Sequence, residues 1–245
     1  MKLLKLLLAT TLLCSTNALR AQKYVGGDIS LLTKYEENGA KYMDKDGQKI
    51  TDVLSFLKEQ GMNAMRVRLF VDPSNATQTD KGQGVCQDLE YVKKLGKKIK
   101  DAGLKFMLDF HYSDTWADPG KQGIPASWIA INTPVYEYIY TYTKESLQAL
   151  VDAGATPDFI QTGNEISFGM LWDDCKVSAN SAWTAYKDDN WDNLATALKN
   201  AGKACREVCP EAKIIIHTEQ CANNPTLDVA FFNRVKSNEI DYDII

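Results

Sequence analysis

Glu165 lies in the stretch QTGNEISFGMLW, residues 161–172, where it follows Gly163 and Asn164 at the end of an apolar run. Glycoside hydrolysis uses two carboxylates that flank the scissile bond: one donates a proton, and the other attacks the sugar or activates water. Burial at the mouth of a cleft would keep Glu165 protonated near neutral pH, and Asn164 is placed to bind a sugar hydroxyl. Because Gly-Asn-Glu is a common tripeptide, a purely structural role for Glu165 stays open on these residues alone.

Polar residues close several other apolar runs. The full set comprises Asp28, Arg68, Asp109 with His111, Asn164 with Glu165, and His217 with Glu219. In (β/α)8 barrels the catalytic residues come from the carboxyl ends of several strands, so this pattern favours a barrel. Arg66 and Arg68 are two residues apart and therefore point to one side of their strand, whereas Val67 and Leu69 point to the other. Two arginines on an interior face require anions nearby.

The segment DFHYSDTWADPGKQGIPASW, residues 109–128, is rich in aromatic and short polar side chains. Sugars bind by stacking their apolar ring faces on aromatic rings and by hydrogen bonds to polar side chains. Trp116, Trp128 and Trp172 are therefore candidate platforms for a sugar ring. The alternative for each tryptophan is the packing of a long loop.

Glu219 is the other carboxylate to consider, because it lies just past the fifth apolar run and close to His217. In barrel glycosidases that retain configuration, the two carboxyl groups lie about 5 Å apart. A residue on the fifth strand would approach Glu165 from the adjacent position, so we expect Glu219 to contact substrate or support another residue instead.

The elements that position these residues repeat along the chain. FLKEQGMNAMRVRLF, KIKDAGLKFMLDFHY and ALVDAGATPDFIQTGNE each contain an amphipathic helix, a glycine, an apolar run and a polar loop. Gly61, Gly103 and Gly154 suit the left-handed backbone that closes a helix. Strands that are apolar on both faces and alternate with helices predict a parallel sheet covered by helices.

Two parallel architectures compete, and the sequence favours the barrel. A nucleotide-binding doubly wound sheet needs a third glycine that YVGGDIS lacks. The expected strands cover residues 24–29, 64–69, 105–110, 159–162 and 213–217, and a sixth begins at Tyr242. Because a barrel needs eight strands and about 250 residues, we expect an α/β, (β/α)8 TIM barrel present as a fragment of about six strands.

Residues 1–21 have the pattern of a secretory signal peptide: Lys2 and Lys5, then an apolar run, then small residues before a cut after Ala21 or Ala18. The run is too short for a membrane anchor, and the barrel domain is expected to span residues 22–245. We expect a secreted, periplasmic or cell-surface protein. Without this segment the formal charge of −4 becomes −7, because three basic and no acidic residues are lost. No basic stripe indicates a nucleic-acid partner.

The remaining five cysteines fit no zinc-binding pattern. Cys205 and Cys209 lie one helical turn apart, which favours a pair of small buried residues on a helix face over a disulfide.

Five segments, GGDIS, RVRLF, DFHYSDTWADPGKQGIPASW, QTGNEISFGMLW and DYDII, closely resemble the family 53 glycoside hydrolases, the arabinogalactan endo-β-1,4-galactanases. The resemblance covers nearly all of the chain after residue 21 and implies a (β/α)8 barrel that cleaves β-1,4-galactan with retention. Glu165 matches the family's acid/base residue and Asn164 the preceding asparagine. The matching cleft residues are Asp28, Arg68, His111, Asp114 and Trp116. Phe70 departs from a frequent tryptophan, and the family nucleophile, a Glu on strand seven, is expected beyond residue 245.

Taken together, we expect an endo-β-1,4-galactanase that is monomeric, has no cofactor and binds galactan polysaccharide or oligosaccharide. Calcium, if bound, would lie in the loops after strands seven and eight. The candidate substrate-binding residues are Asp28, Arg68, His111, Asp114, Trp116, Asn164, Trp172 and His217. The alternatives are a barrel glycosidase acting on mannan or cellulose, and a non-catalytic glycan-binding fragment. A fragment with open sheet edges is expected to fold poorly and to be inactive alone.

Overall fold

A computed structural model describes residues 24–245. The predicted signal peptide, residues 1–21, lies outside this part of the chain. Five parallel strands form the central sheet in sequence order. They are β1 (Gly26–Asp28), β2 (Ala64–Leu69), β3 (Lys105–Phe110), β4 (Phe159–Thr162) and β5 (Lys213–Ile215).

The expected strand positions are confirmed, with two boundaries that differ. β2, β3 and β4 have the predicted bounds, whereas β1 and β5 are shorter than 24–29 and 213–217. At the start of β1 the Asn63 side chain accepts the hydrogen bond of Val25 N–H, in place of a strand partner. The expected sixth strand position is also occupied, because Ile244 forms a parallel bridge with Ile215.

Helices connect the strands and cover one side of the sheet. The longer helices are α1 (Leu32–Glu37), α2 (Val53–Glu59), α3 (Leu89–Asp101), α4 (Val135–Asp152), α5 (Trp191–Val208) and α6 (Pro225–Ser237). α3 buries Val92, Leu95 and Ile99 against the sheet side of the core. Asp88 caps its start by accepting the Tyr91 N–H at 2.8 Å, and Gly103 follows its end with a φ of +68°.

Shorter elements fill the loops. Two of them are hairpins, which the sequence patterns did not predict. The hairpins pair Tyr42–Met43 with Lys49–Ile50 and Gly169–Met170 with Cys175–Lys176. The short helical turns are Pro73–Asn75, Gln78–Gly82, Ala126–Ile129 and Ile166–Phe168. The last of these turns begins directly after Glu165, so it belongs to the surroundings of the candidate site.

The two faces of the sheet differ in chemistry. Met65, Val67 and Leu69 on β2 are fully buried, and they alternate with Arg66 and Arg68 on the other face. The core between sheet and helices is made of large apolar side chains. The strand register places Arg68 beside Asp109, and Asp109 beside Gln161. The inner face of the sheet is therefore polar, as the spacing of the two arginines predicts.

Trp128 belongs to the core and is not a sugar platform. Only 2% of its surface is exposed, and its ring packs edge-on against Tyr138 and Tyr142 at centroid distances of 5.1 and 5.2 Å. Trp128 therefore packs the long loop against the core, which is the alternative that the sequence left open for this residue.

The cysteines in residues 24–245 form no disulfide. Cys205 on α5 and Cys209, which directly follows its last residue, are both buried and unpaired, as predicted, although Cys209 lies just outside the helix. Burial raises the pKa of the Cys209 thiol to about 11, so the thiol stays protonated at neutral pH. Within the same residues, no helix combines the length and the apolar character that a membrane crossing requires.

Candidate active site

The polar inner face of the sheet opens into a cleft of about 320 Å³ at the carboxyl ends of β2 to β5. Its walls combine basic, acidic, amide and aromatic side chains. They are Arg66, Arg68, His111, Trp116, Ala117, Asp118, Asn164, Glu165 and His217. Four strands thus bring side chains from distant parts of the sequence to one site, as the barrel interpretation requires.

Glu165 is held in an uncommon backbone conformation at the end of β4. Its φ and ψ are 51° and 55°, the left-handed region that non-glycine residues seldom adopt. Gly163, two residues earlier, has a φ of +105° and lets the chain turn away from the strand. Left-handed non-glycine residues persist only where their surroundings fix them, and they concentrate at functional sites.

The surroundings of Glu165 supply such a clamp. The buried Gln122 side chain donates from Nε2 to the Asn164 carbonyl at 2.8 Å and to the Glu165 carbonyl at 3.3 Å. From the other side, Ile166 N–H donates to the His217 carbonyl at 3.0 Å. The loop after β3 and the end of β5 therefore fix the carboxylate-bearing turn between them.

The electrostatic environment suits Glu165 as a proton donor. Burial raises the pKa of its carboxyl group, and the negative charges of Glu219 and Asp118 raise it further. The positive charge of Arg66 works in the opposite direction without reversing the shift. A carboxylic acid with a raised pKa keeps its proton to higher pH, which general acid catalysis needs.

Glu165→Gln is expected to raise the melting temperature of the whole protein at neutral pH. With a raised folded-state pKa, the stability that Glu165 contributes is fully present below the unfolded pKa and is lost as pH rises through the folded pKa. Glutamine carries no charge, so the variant avoids this loss at about pH 7 but gains nothing near pH 4, where both side chains are neutral. Thermal unfolding at both pH values measures the difference, and a less stable variant at pH 7 would contradict the raised pKa.

Beneath Glu165, Arg66 joins two carboxylates. Its guanidinium donates to Asp28 Oδ2 at 2.7 Å and to Asp109 Oδ2 at 2.5 Å. A third hydrogen bond reaches Asn164 Oδ1 at 2.9 Å. Asp109 is completely buried, and Gln161 Nε2 donates to its other oxygen at 2.6 Å. The anions that the two arginines require are therefore Asp28 and Asp109, and not Glu165.

Asp109 remains ionised in spite of its burial. Burial alone would raise the pKa of this carboxyl group, but His111 and Arg66 together hold it below its usual value. His111 Nδ1 accepts the Ala117 N–H at 3.0 Å, so its ring proton lies on Nε2, which is 3.0 Å from Asp109 Oδ2. Asp109 thus fixes the orientation of both Arg66 and His111.

His217 closes the cleft from β5. Burial lowers the pKa of its imidazole, so the ring is uncharged at neutral pH. Its Nδ1 lies 3.1 Å from Asn164 Oδ1 and 3.3 Å from Gln161 Nε2. The histidine thereby links the amide side chains of β4 to the next strand.

The structure brings most of the predicted site residues together. Arg68, His111, Trp116, Asn164, Glu165 and His217 all line the cleft. Asp28 lies at the end of β1 and binds both Arg66 and Arg68. The Arg68 guanidinium stacks 4.6 Å above the Trp116 ring, and this contact orients the tryptophan at the cleft wall.

Two predicted substrate-binding residues lie elsewhere. Asp114 does not line the cleft: its carboxylate accepts hydrogen bonds from Asp72 N–H, Asn75 Nδ2 and Ala126 N–H at 2.9–3.0 Å, so it joins loop segments. Its predicted contact with a sugar has no support in this geometry. Trp172 lines a neighbouring groove, where its Nε1 donates to the Phe168 carbonyl at 2.9 Å.

Three site residues were not predicted. Gln161 had a recognisable signal, because it is a polar residue inside the apolar run of β4. Asp118 and Gln122 lie in the loop after β3, where neither periodicity nor spacing tells which side chains point toward the strand ends. In residues 24–245 no cluster of three or more His, Cys, Asp or Glu side chains could hold a metal ion.

Comparison with known proteins gives a consistent family match. The model of glycosyl hydrolase family 53 matches residues 24–245. An arabinogalactan endo-β-1,4-galactanase of Cellvibrio japonicus is 34% identical over 229 residues, which cover 91% of this chain and 55% of that protein. A probable arabinogalactan endo-β-1,4-galactanase A of Neosartorya fischeri is 33% identical over 242 residues, covering 96% of this chain and 62% of its relative.

Solved structures agree with the sequence comparison. The family 53 catalytic domain of Ignisphaera aggregans superimposes with a TM-score of 0.76 at 32% identity, covering 89% of this chain and 57% of that one. A fungal β-1,4-galactanase gives a TM-score of 0.74 at 30% identity, covering 91% and 63%. These likenesses confirm the predicted (β/α)8 barrel class. The chain spans little more than half the length of the relatives it matches.

Proposed function

Because this chain belongs to glycosyl hydrolase family 53, we propose that the whole protein is an endo-β-1,4-galactanase acting on the β-1,4-galactosidic bonds of arabinogalactan. The observation that carries the proposal is the position of Glu165. It lies at the carboxyl end of β4, in a cleft, on a clamped left-handed turn, with a raised pKa. Relatives named as galactanases match the chain on both sides of this residue.

In the proposed mechanism, Glu165 gives its proton to the leaving glycosidic oxygen as the bond to the anomeric carbon breaks. A second carboxylate attacks the anomeric carbon from the opposite face and forms a covalent glycosyl-enzyme. Glu165, now ionised, takes a proton from water, whose oxygen displaces the carboxylate and leaves the sugar with its original configuration. The raised pKa keeps Glu165 protonated, as the first step requires. Once it has given up that proton, Glu165 is ionised and can act as the base in the second step.

Glu219 is a poor choice for the second carboxylate. One of its oxygens accepts the Ser167 hydroxyl at 2.8 Å and the other accepts Gln220 Nε2 at 2.6 Å. It also follows β5, which adjoins β4, and does not face Glu165 across the barrel. We assign the nucleophile to a later strand of the whole protein, and we give Glu219 the smaller role of raising the Glu165 pKa.

Asn164 is proposed to bind the sugar hydroxyl beside the reacting carbon. Its Oδ1 accepts from Arg66, and one of its two amide hydrogens goes to the Ala117 carbonyl at 2.8 Å. The other amide hydrogen is left for the substrate. Trp116, His111 and His217 are proposed to line the subsite, with Asp28 acting through the arginines that it orients.

Several properties of the whole protein are also proposals. The pattern of residues 1–21 supports export, to the periplasm, the cell surface or the medium. We propose a monomer that needs no cofactor for catalysis, with calcium as a structural ion only in later loops. The competing functions are a barrel glycosidase for mannan or cellulose and a glycan binder without activity.

The whole protein is expected to release reducing sugar from β-1,4-galactan at least about tenfold faster than from mannan or cellulose. A site that hydrogen-bonds particular hydroxyl groups rejects sugars that place them elsewhere. Initial rates on the three polysaccharides measure the preference, and proton NMR of the first product gives its anomeric configuration. Faster hydrolysis of mannan or cellulose would favour the second function, and binding of galactan without hydrolysis would favour the third. An initial α-anomer would overturn retention.

A further inference from the structure

The segment of chain that follows Glu165 lines a second groove, with a volume of about 590 Å³. Its lining includes three aromatic side chains, Phe168, Trp172 and Trp183. The other lining residues are Lys176, Val177, Ser178, Ala179, Asn180, Ser181 and Lys187. Aromatic side chains combined with short polar side chains and ammonium groups are the composition that binds a sugar ring. We call this the Trp183 groove.

Trp183 is held in place although half of it is exposed. The exposed fraction of this side chain is 52%, and its φ is +55°. Its N–H donates to the Asn180 carbonyl at 3.0 Å, and its carbonyl accepts from Asn224 Nδ2 at 2.9 Å. The loop therefore fixes both the backbone and the direction of an apolar ring that water contacts. An exposed aromatic ring whose direction is fixed in this way offers a ready surface for stacking a ligand.

The other two rings complete the shape. Phe168 stands at 88° to Trp183 with their centroids 5.8 Å apart, so the two rings form a corner. The Lys176 ammonium group lies 4.0 Å from the centre of the Trp172 ring and covers one of its faces. Trp172 thus serves as a wall, Trp183 offers the open face, and Lys176 supplies hydrogen-bond donors.

Lys176 and Lys187 have no carboxylate within ion-pair distance among the residues that the structure describes. Their ammonium groups are therefore free to donate to the hydroxyl oxygens of a sugar.

The Trp183 groove is built on the segment of chain that follows Glu165. Phe168 ends the short helical turn that starts after Glu165. Trp172 N–H donates to the Gln122 carbonyl at 2.7 Å, and the side chain of the same glutamine holds the Glu165 carbonyl. Gln122 therefore holds both Trp172, in the groove, and Glu165, in the candidate active site.

Neighbouring loops already flank the groove on both sides. Gly123, after β3, forms a bridge with Trp172, and Asn224, after β5, binds the Trp183 carbonyl. In an eight-stranded barrel the last two strands adjoin the sixth and first strands, away from the loop after the fourth. The groove is therefore expected to stay open in the whole protein.

From these observations we infer that the Trp183 groove is a further sugar subsite, which takes one pyranose unit of the same glycan chain. The apolar face of the pyranose stacks on Trp183, and Lys176 donates to its hydroxyl oxygens. This inference rests on the proposed function, because it needs a glycan that also occupies the Glu165 cleft. It adds a residue, Trp183, to the determinants of chain-length preference.

The test uses the whole protein with Glu165→Gln, which binds substrate without cleaving it. Calorimetry measures its affinity for β-1,4-galacto-oligosaccharides from the disaccharide to the hexasaccharide. Adding Trp183→Ala is expected to weaken binding of the hexasaccharide about tenfold, the size of one lost stacking contact, with a loss that grows with chain length. Trp183→Tyr keeps an aromatic face and is expected to restore most of the affinity. Tyr35→Ala, at another half-exposed aromatic residue, serves as the control and is expected to change nothing.

The possible outcomes separate the two proposals. Equal affinity of the Trp183→Ala and parent proteins at every length would overturn the subsite and leave the galactanase function standing. A large fall in melting temperature with Trp183→Ala would also overturn the subsite, because it would mean that another part of the protein covers the ring. If the parent binds no galacto-oligosaccharide, the proposed function fails. The same comparison with manno- and cello-oligosaccharides then decides the subsite: a length-dependent loss supports it, and no loss overturns it.

Discussion

Glu165→Gln is expected to lower kcat/KM of the whole protein on β-1,4-galactan by about a thousandfold or more, the upper part of the range for lost general acid–base catalysis. Glutamine has nearly the size of glutamate, so the clamp from Gln122 and His217 stays in place. It cannot give a proton to the leaving oxygen or take one from water, so both chemical steps slow. Initial rates of reducing-sugar release, with wild type and variant at equal concentration, measure the loss.

A leaving group that needs no proton sharpens this test. With a dinitrophenyl galactoside, the first step of Glu165→Gln is expected to be nearly normal, because the phenolate leaves without protonation. The second step still lacks its base, so a burst of phenolate should be followed by a slow steady rate. Azide needs no base to attack the glycosyl-enzyme, and it should raise that steady rate. Wild-type rates in the variant on galactan would remove Glu165 from the mechanism.

Glu219→Gln is the matched control, because it removes the nearby carboxylate whose charge raises the Glu165 pKa. It is expected to lower activity only severalfold and to shift the alkaline limb of the pH profile to lower pH. The reason is that Glu165 without this neighbour loses its proton more easily. A loss as large as that of Glu165→Gln would instead make Glu219 a catalytic group.

The strands and the position of Glu165 were predictable because each is indicated by residues that are close together in the sequence. Apolar residues alternate with Arg66 and Arg68 on β2, and such alternation fixes both the strand and its inward face. Glu165 directly follows an apolar run, so its place at a strand end follows from sequence position alone. Gly163, which allows the turn, is part of the same signal.

The loop after β3 shows why the rest was not predictable. Asp114, Trp116, Asp118, Gln122 and Trp128 lie within fifteen residues of one another. Trp116, Asp118 and Gln122 line or support the cleft. Asp114 instead joins loop segments, and Trp128 fills the core. An irregular backbone has no repeat that assigns directions to side chains. Contacts with distant residues, such as the Asn164 carbonyl for Gln122, decide them instead.

The polar interior of the barrel can itself be tested through Arg66→Met, which is expected to destabilise the folded protein by about 3–5 kcal/mol. Methionine keeps the apolar stem of arginine without the guanidinium group, and it leaves Asp109 buried with one of its charged partners removed. His111 and Gln161 remain as hydrogen-bonding neighbours, so the loss is large without being complete. Urea unfolding of the whole protein at neutral pH measures the change.

Lys97→Met is the surface control, because Lys97 pairs with Asp101 at 2.7 Å while more than half of each side chain is exposed. Water screens that pair, and its loss is expected to cost about 0.5 kcal/mol or less. If Arg66→Met costs no more than this control, the interior network contributes nothing special to stability. Asp109→Asn combined with Arg66→Met removes both charges and should recover part of the loss.

The dependence on pH identifies the buried carboxylate as the source of the Arg66 effect. His111 and Arg66 hold the Asp109 pKa below its usual value, so its stability contribution is present above the unfolded pKa and is lost as pH falls through the folded pKa. Without Arg66, the folded-state pKa of Asp109 rises, and the contribution of Asp109 to the stability of the protein becomes smaller. The difference between wild type and Arg66→Met is therefore expected to be largest near pH 7 and to narrow toward about pH 4, as Asp109 takes up a proton in the variant. A difference that stays constant with pH would instead assign the loss to packing of the arginine stem.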